Sequence, residues 1–280
     1  MKLELVSQAR CFDGEQRYYK HTSATLACDM RFSVFLPPQA QNGNCPVVWY
    51  LSGLTCTEDN ATVKAGFQRT AAELGLIIVC PDTSPRGGHV PDDEAYDFGK
   101  GAGFYLDATE APWAKNFQME TYITKELPDL IGAELPVDMS RQGITGHSMG
   151  GHGALTLALK NPAQYKSVSA FSPICSPIEC PWGQKALAGY LGENSAAWRR
   201  HDACALLADG GPIDAEILVD QGLADDFMES QLKPGLLEAA AEASCQKFTV
   251  RRQAGYDHSY FFIASFMEDH LRFHSERLKG

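Results

Sequence analysis

Short apolar runs of strand length alternate along this chain with longer stretches of helical character, and this alternation limits the fold most strongly. Leu76–Cys80 reads Leu-Ile-Ile-Val-Cys, a pattern typical of a strand that is buried on both faces. We therefore predict a doubly wound, mostly parallel sheet flanked by helices. Further strands are predicted at Arg31–Leu36, Val47–Leu51, Gly143–Thr145, Ser167–Phe171, Glu216–Val219 and Phe248–Arg252, and helices at Val63–Leu74, Glu120–Leu130, Ala154–Lys160 and Phe261–Leu278.

Length and charge narrow the class of protein. The 280 residues contain no linker-like or repetitive segment, so we predict one domain over 1–280. The net charge of −11 argues against a nucleic-acid partner, which requires clustered Lys and Arg. No apolar stretch has signal-peptide or membrane-spanning length, so no membrane partner is expected. Nine cysteines without a Cys-x-x-Cys pair indicate neither a zinc nor a redox motif and favour the reducing cytoplasm.

A candidate nucleophile stands at a predicted junction of strand and helix. Gly146-His-Ser-Met-Gly150 matches G-x-S-x-G and is followed by further small residues. A nucleophile elbow needs small neighbours because its serine occupies a tight, strained turn. The pattern in this context predicts an α/β-hydrolase with Ser148 as its nucleophile.

A serine nucleophile needs a histidine base, which in α/β-hydrolases follows the nucleophile and the acid along the chain. Of the eight histidines, His258 fits best, since it follows the predicted strand Phe248–Arg252 through a loop. His201 is a weaker alternative because no strand directly precedes it. His270 and His274 are four residues apart in the predicted terminal helix, a spacing that can bind metal, but we expect them on a solvated helix face.

The acid that orients the base should lie in the loop after the strand at Glu216–Val219. Asp220 belongs to the strand end in this reading. Asp225 and Asp226 both fall in the loop, and the residues themselves do not choose between them. Adjacent carboxylates repel one another when both are buried, so one of the two should face water.

Acyl transfer also needs main-chain N–H donors for the tetrahedral oxyanion. One donor is expected at Met149, the residue after the nucleophile. The other is expected in the loop after Val47–Leu51, where Gly53 allows close approach of the backbone and Leu54 is the donor.

Several ordered motifs beyond the elbow make the chain similar to the S-formylglutathione hydrolase (esterase D) family. The resemblance implies Ser148 as nucleophile, His258 as base and Asp225 as acid, and it supports the oxyanion donors Leu54 and Met149. The motifs are Leu51-Ser-Gly-Leu-Thr-Cys-Thr57, Pro81-Asp-Thr-Ser-Pro-Arg-Gly87, Asp97-Phe-Gly-Lys-Gly-Ala-Gly-Phe-Tyr105, Gly146-His-Ser-Met-Gly-Gly-His-Gly153, Ser169-Ala-Phe-Ser-Pro-Ile-Cys175, Cys180-Pro-Trp-Gly183, Asp220-Gln-Gly-x-x-Asp225 and Gly255-Tyr-Asp-His-Ser259.

The resemblance further implies a homodimer that hydrolyses S-formylglutathione to glutathione and formate without metal or cofactor. It places Cys56 beside the active site as a bystander thiol. Ala61 stands where the family usually has Phe, which would widen a pocket that Trp182 walls. Because both glutathione and this chain are anionic, a local cation is expected, with Arg86 and Lys64 as candidates. The alternatives are a broad carboxylesterase or thioesterase, an acyltransferase, or a non-catalytic binding module.

Overall fold

The computed structural model describes residues 2–279, and one sheet of nine strands runs through them. The strand order is β1-β2-β3-β5-β4-β6-β7-β8-β9, with antiparallel pairing from β1 to β5 and parallel pairing from β5 to β9. The predicted mostly parallel α/β-hydrolase sheet is thus confirmed. The strands are β1 (Glu4–Cys11), β2 (Gly14–Ser23), β3 (Cys28–Leu36), β4 (Cys45–Leu51), β5 (Ile77–Pro81), β6 (Val137–Gly146), β7 (Tyr165–Phe171), β8 (Ile217–Gly222) and β9 (Phe248–Gln253).

The two strands that were not predicted, β1 and β2, lie at the antiparallel edge of the sheet. Almost all of β1 is exposed, so its sequence carries no apolar alternation that would indicate a strand. β1 pairs with β2, and β2 pairs with β3. These hydrogen bonds, and not burial of β1, form this edge of the sheet.

Helices cover both faces of the sheet, and none among residues 2–279 combines the length and apolarity needed to cross a membrane. The predicted helix Val63–Leu74 is wrong in its bounds, since it begins at Glu58 and is interrupted at Gly66, whose φ is +73°. A π-helical segment, Tyr122–Glu126, joins α3 to α4. The helices are α1 (Glu58–Lys64), α2 (Gln68–Leu74), α3 (Met119–Thr121), α4 (Leu127–Glu134), α5 (Met149–Lys160), α6 (Pro181–Leu191), α7 (Ser195–Trp198), α8 (Ala203–Gly210), α9 (Pro234–Ser244) and α10 (Tyr260–Arg277).

The core is divided by the sheet into two clusters of apolar side chains. Trp49 in β4 packs into the cluster that includes residues of α4, α5 and α8, whereas its neighbours Val48 and Tyr50 pack into the cluster that includes residues of α1, α2 and α10. Successive side chains of a strand point to opposite faces, so a strand covered on both sides must be apolar throughout. This explains why the central strands are continuous apolar runs.

The prediction that His270 and His274 lie on a solvated helix face is wrong, because both are fully buried. His274 Nδ1 lies 2.6 Å from the Ser167 hydroxyl, and His274 Nε2 lies 2.9 Å from Ser169 Oγ. His270 Nδ1 lies 2.9 Å from Ser169 Oγ, and its Nε2 lies 3.1 Å from a carboxylate oxygen of Asp220. Polar partners in β7 and β8 thus replace water, and this face of α10 packs against the sheet.

Burial lowers the pKa of several histidines, which gives the fold a defined response to acid. Burial and nearby positive charge lower the pKa of His152 to about 3, from an ordinary value of 6.5. The same cause lowers the pKa of five other histidines. These are His21, His147, His201, His270 and His274.

We expect the free energy of unfolding to fall as the pH drops below about 6.5, because the unfolded chain then binds protons that these buried histidines exclude. Each such histidine contributes up to about 1.4 kcal/mol per pH unit. Urea unfolding at a series of pH values measures the slope. His152→Gln, which keeps an N–H donor toward the Phe104 carbonyl, should reduce that slope. Identical slopes for the two proteins would contradict this assignment.

Candidate active site

The candidate nucleophile Ser148 stands in a strained turn between β6 and α5. Its φ of 58° and ψ of −118° are unfavourable for a residue with a side chain. The turn is possible because Gly146 and Gly150, two positions before and after the serine, have no side chains. A Cβ on Gly146 would lie 2.2 Å from the Gly150 carbonyl oxygen, and one on Gly150 would lie 2.0 Å from that of Leu51. The elbow therefore requires glycine at both positions.

The candidate base His258 and the candidate acid Asp225 form a direct hydrogen bond. His258 Nδ1 donates to Asp225 Oδ2 over 2.6 Å, and the Phe227 N–H donates to Asp225 Oδ1 over 2.9 Å. Burial opposes the charge on Asp225, but the hydrogen bond and charge of His258 outweigh it and hold the pKa of Asp225 below its ordinary value. The acid is therefore a carboxylate that orients the imidazole and leaves His258 Nε2 available for the serine.

The other acids and histidines that the sequence left open are placed elsewhere. Asp226 is exposed whereas Asp225 is buried, as the repulsion between adjacent carboxylates requires. Asp220 lies within β8, as predicted. His201 Nδ1 is 3.4 Å from Lys160 Nζ, away from the serine, and burial together with Lys160 lowers the pKa of His201 to about 2.

Two main-chain N–H groups are available at the expected oxyanion positions. Leu54 follows β4 and lines the cavity at Ser148, and Met149 is the first residue of α5. Among the hydrogen bonds of residues 2–279, neither N–H has an acceptor. A Cβ on Gly53 would lie 3.2 Å from Ser148 Cβ, so glycine allows this loop to approach the serine. The arrangement can stabilise negative charge that develops beside Ser148.

Ser148 and His258 open into a cavity of about 240 Å³ with a largely aromatic wall. The predicted wall residue Trp182 is part of it, and its indole N–H donates to the Tyr96 hydroxyl over 3.0 Å. The ring centre of Trp182 lies 4.8 Å from that of Phe227, which in turn lies 5.1 Å from that of His258. The cavity is lined by Gly53, Leu54, Thr55, Cys56, Tyr96, His147, Ser148, Trp182, Phe227, His258, Ser259 and Tyr260.

Sequence reasoning did not identify four of the lining aromatic residues. Phe227 and Tyr260 each lie two positions after a candidate triad residue, and this proximity was the available signal. Tyr96 lies in a long loop, and no pattern indicated that it would reach the site. His147 is one of the eight histidines among which the sequence favours His258 as the base.

Cys56 lines the cavity, and its thiol is partly buried. Burial raises the pKa of this thiol above its ordinary value of 9.0. The thiolate, not the thiol, is the reactive form. Cys56 is therefore neutral at physiological pH and is suited to be a neighbour of the reaction, not its nucleophile.

The structure separates the two candidate cations. Arg86 does not line the cavity: its guanidinium pairs with Asp82 at 2.8 Å and donates to the Cys56 carbonyl at 3.0 Å. Arg86 thus stabilises the loop at Cys56, and its charge is paired with that of Asp82. Lys64 does not line the cavity either, but it is exposed, with Nζ 5.8 Å from the ring centre of Tyr260, a residue of the cavity wall.

Ala61 does not border the cavity, which corrects the expectation that it widens the pocket. It is fully buried in the core cluster that includes residues of α2 and α10. The reason is that α1 begins at Glu58, earlier than predicted, and this helix packs against β3 and β5. A larger residue at Ala61 would therefore act on core packing.

Comparisons with known proteins agree on one family. The family model described as "Putative esterase" matches residues 23–273. The S-formylglutathione hydrolase of Paracoccus denitrificans (strain Pd 1222) is 54% identical over 275 residues, covering 98% of each chain, and that of Mus musculus is 51% identical over 282 residues, covering 100% of each. The solved structure of an S-formylglutathione hydrolase from Agrobacterium tumefaciens is 54% identical with a TM-score of 0.97, covering 99% of this chain and 100% of that one.

We expect Asp225→Asn to lower kcat for ester hydrolysis by about 10³- to 10⁴-fold, because an amide does not hold the imidazole in the required tautomer or stabilise its cation. Asp226→Asn is the matched control, since it removes the neighbouring exposed carboxylate, and it should retain kcat within about twofold. Steady-state kinetics with p-nitrophenyl acetate measure both. A large loss in the Asp226 variant with normal activity in the Asp225 variant would reverse the assignment.

Proposed function

This chain belongs to the S-formylglutathione hydrolase family of esterases, and we propose that it hydrolyses S-formylglutathione to glutathione and formate. The observation that carries the proposal is the bond to Asp225 Oδ2 from Nδ1 of His258, which lines the same cavity as Ser148. Together with the N–H groups of Leu54 and Met149, these residues supply the parts that acyl transfer requires.

The reaction proceeds in two halves. His258 Nε2 takes the proton of the Ser148 hydroxyl as the serine oxygen attacks the thioester carbonyl carbon, and the Leu54 and Met149 N–H groups stabilise the oxyanion. Collapse of this intermediate breaks the carbon–sulfur bond, and His258 returns the proton to the departing glutathione sulfur. A formyl group now occupies the serine. Water then loses a proton to His258 and attacks this ester, which releases formate and restores the Ser148 hydroxyl.

The cavity supports a small acyl group. Its volume of about 240 Å³ has to accommodate the reacting carbonyl, and the rings of Trp182, Phe227 and Tyr260 form its wall. Trp182 is fixed at both ends, through its indole N–H to Tyr96 and its ring contact with Phe227. We propose that this wall limits the length of the acyl chain, with the peptide portion of the thioester extending past the rim.

The charge of glutathione favours a role for Lys64. The tripeptide is net anionic at neutral pH, as is this protein with its charge of −11. Lys64 brings a solvent-facing ammonium to the rim beside Tyr260. We propose that it attracts a carboxylate of the glutathione moiety, a part of the substrate that simple esters do not have.

The proposal extends to the setting in which the enzyme works. All nine cysteines are unpaired, which supports a reducing compartment such as the cytoplasm. The homodimer that the family resemblance implies and the single domain that the sequence predicts stay predictions.

A direct kinetic comparison tests the proposed reaction. We expect kcat/KM for S-formylglutathione to exceed that for p-nitrophenyl acetate, and that for p-nitrophenyl butyrate to be lower still, because the aromatic wall limits the acyl chain. Ser148→Ala should lower all three by about 10⁴-fold or more, since the nucleophile is lost. A preference for the butyryl ester over S-formylglutathione would favour a broad carboxylesterase instead.

Lys64→Ala should raise KM for S-formylglutathione by roughly two- to fivefold, as expected for loss of one exposed charge contact. KM for p-nitrophenyl acetate should not change, because that ester has no carboxylate. Lys166→Ala is the control, since Lys166 is exposed at the amino-terminal end of β7, whereas the site lies beyond the carboxyl ends of the strands. Salt should reduce the effect of Lys64. Equal changes in KM for the two substrates would exclude Lys64 from the binding of glutathione.

A further inference from the structure

One side chain contacts the candidate base but takes no proton in the proposed reaction. His147 directly precedes the nucleophile, and its ring centre lies 4.4 Å from that of His258, with 44° between the ring planes. A third ring, that of Tyr260, has its centre 6.0 Å away. His147 is only 6% exposed, so the imidazole of His258 packs on a buried ring.

The same residue also borders the loop that carries an oxyanion donor. A Cβ on Gly53 would lie 3.3 Å from the His147 carbonyl oxygen and 3.4 Å from its Nδ1. The main chain of His147 is anchored in the sheet, because its N–H donates to the Leu51 carbonyl over 3.0 Å. His147 therefore stands between the loop at Gly53 and the loop of His258, and its own backbone cannot shift freely.

The chemistry of this ring suits contact with a base that becomes a cation. Burial, together with the neighbouring charge of His258, holds the pKa of His147 well below its ordinary value, so the ring stays neutral. A second cation at this place would oppose the imidazolium that forms on His258. Within residues 2–279, His147 Nε2 is buried without a hydrogen-bond partner, so the contact of the ring, not proton transfer through Nε2, is what reaches His258.

We propose that His147 is a positioning residue whose buried ring holds the imidazole of His258 in place beside Ser148 and keeps water from that face of it. The inference rests on the proposed role of His258 as base. In this proposal, the residue before the serine of the G-x-S-x-G elbow helps to hold the base in its catalytic position. A 1 Å displacement of a catalytic group is enough to reduce a rate by about 10²-fold.

Two variants distinguish an effect of the His147 ring itself from an effect of its nitrogen atoms. His147→Ala removes the ring, and we expect kcat for p-nitrophenyl acetate and for S-formylglutathione to fall by roughly ten- to a hundredfold with KM changed less than about twofold. The acid limb of its kcat/KM profile should move to higher pH, because water that enters the space stabilises the imidazolium. His147→Phe keeps a ring and should retain most of kcat and the original acid limb.

Thermal unfolding of each variant identifies losses that come from the fold. His152→Gln is the matched control: His152 is a second buried histidine of the same motif, which lies against Phe104 and not against His258, and this variant should retain kcat and the pH profile. If His147→Ala does not fold, the kcat and pH profile of His147→Phe decide whether the proposal holds. Wild-type kcat and pH profile in His147→Ala, or a folded His147→Phe with kcat reduced a hundredfold, would overturn the proposal.

Because both substrates are measured, the proposed substrate and the proposed role of His147 can be refuted independently. Hydrolysis of p-nitrophenyl acetate without hydrolysis of S-formylglutathione would refute the proposed substrate, while the two His147 variants would still decide the positioning role. Hydrolysis of neither substrate by the wild-type enzyme would overturn both.

Discussion

The left-handed backbone of Ser148 is the constraint on which the rest of the site depends. β6, which precedes the turn, and α5, which follows it, are both packed in the core. Their packing holds Ser148 at its unfavourable dihedral angles. The Ser148 N–H donates to the Phe171 carbonyl at the end of β7, which ties the turn to the neighbouring strand. The same turn sets Met149 at the start of a helix, where no other group of residues 2–279 accepts from its N–H, and sets His147 against His258. The proposed nucleophile, oxyanion donor and support of the base thus come from three consecutive residues.

Two Asp–His pairs arise from the same part of the chain and differ in what surrounds them. Asp220 in β8 and His270 in α10 meet at 3.1 Å, and the partly exposed Arg251 pairs with the same buried carboxylate. Burial opposes the charge of Asp220, but bonds from His270 and Arg251 outweigh it and lower the pKa of that carboxyl. Asp225 and His258 meet in the loops just beyond these elements, where one ring edge opens to a cavity. The first pair joins α10 to the sheet, and the second is the pair to which we assign proton transfer in the proposed reaction.

Local patterns predicted the parts of the fold that depend on neighbours in sequence. The apolar run at Leu76–Cys80 indicated a strand buried on both faces because alternate side chains of β5 meet two different layers. The glycines around Ser148 indicated an elbow because no side chain fits there. His270 and His274 were misplaced for the opposite reason. Their spacing is the same on a wet or a buried helix face, and only the hydroxyls of β7 decide which one it is.

Local sequence patterns predicted seven of the nine strands, a proposed nucleophile in its turn, and a proposed base and acid in loops after strands, since each depends on short-range sterics or chain order. Tertiary structure decided which carboxylate is buried, because only the fold sets Asp225 inward and Asp226 in water. It also decided that Arg86 is neutralised by Asp82, that Ala61 faces the core and that His147 packs on His258. These are contacts between segments far apart along the chain, or between side chains whose direction depends on such segments, and no local pattern carries that information.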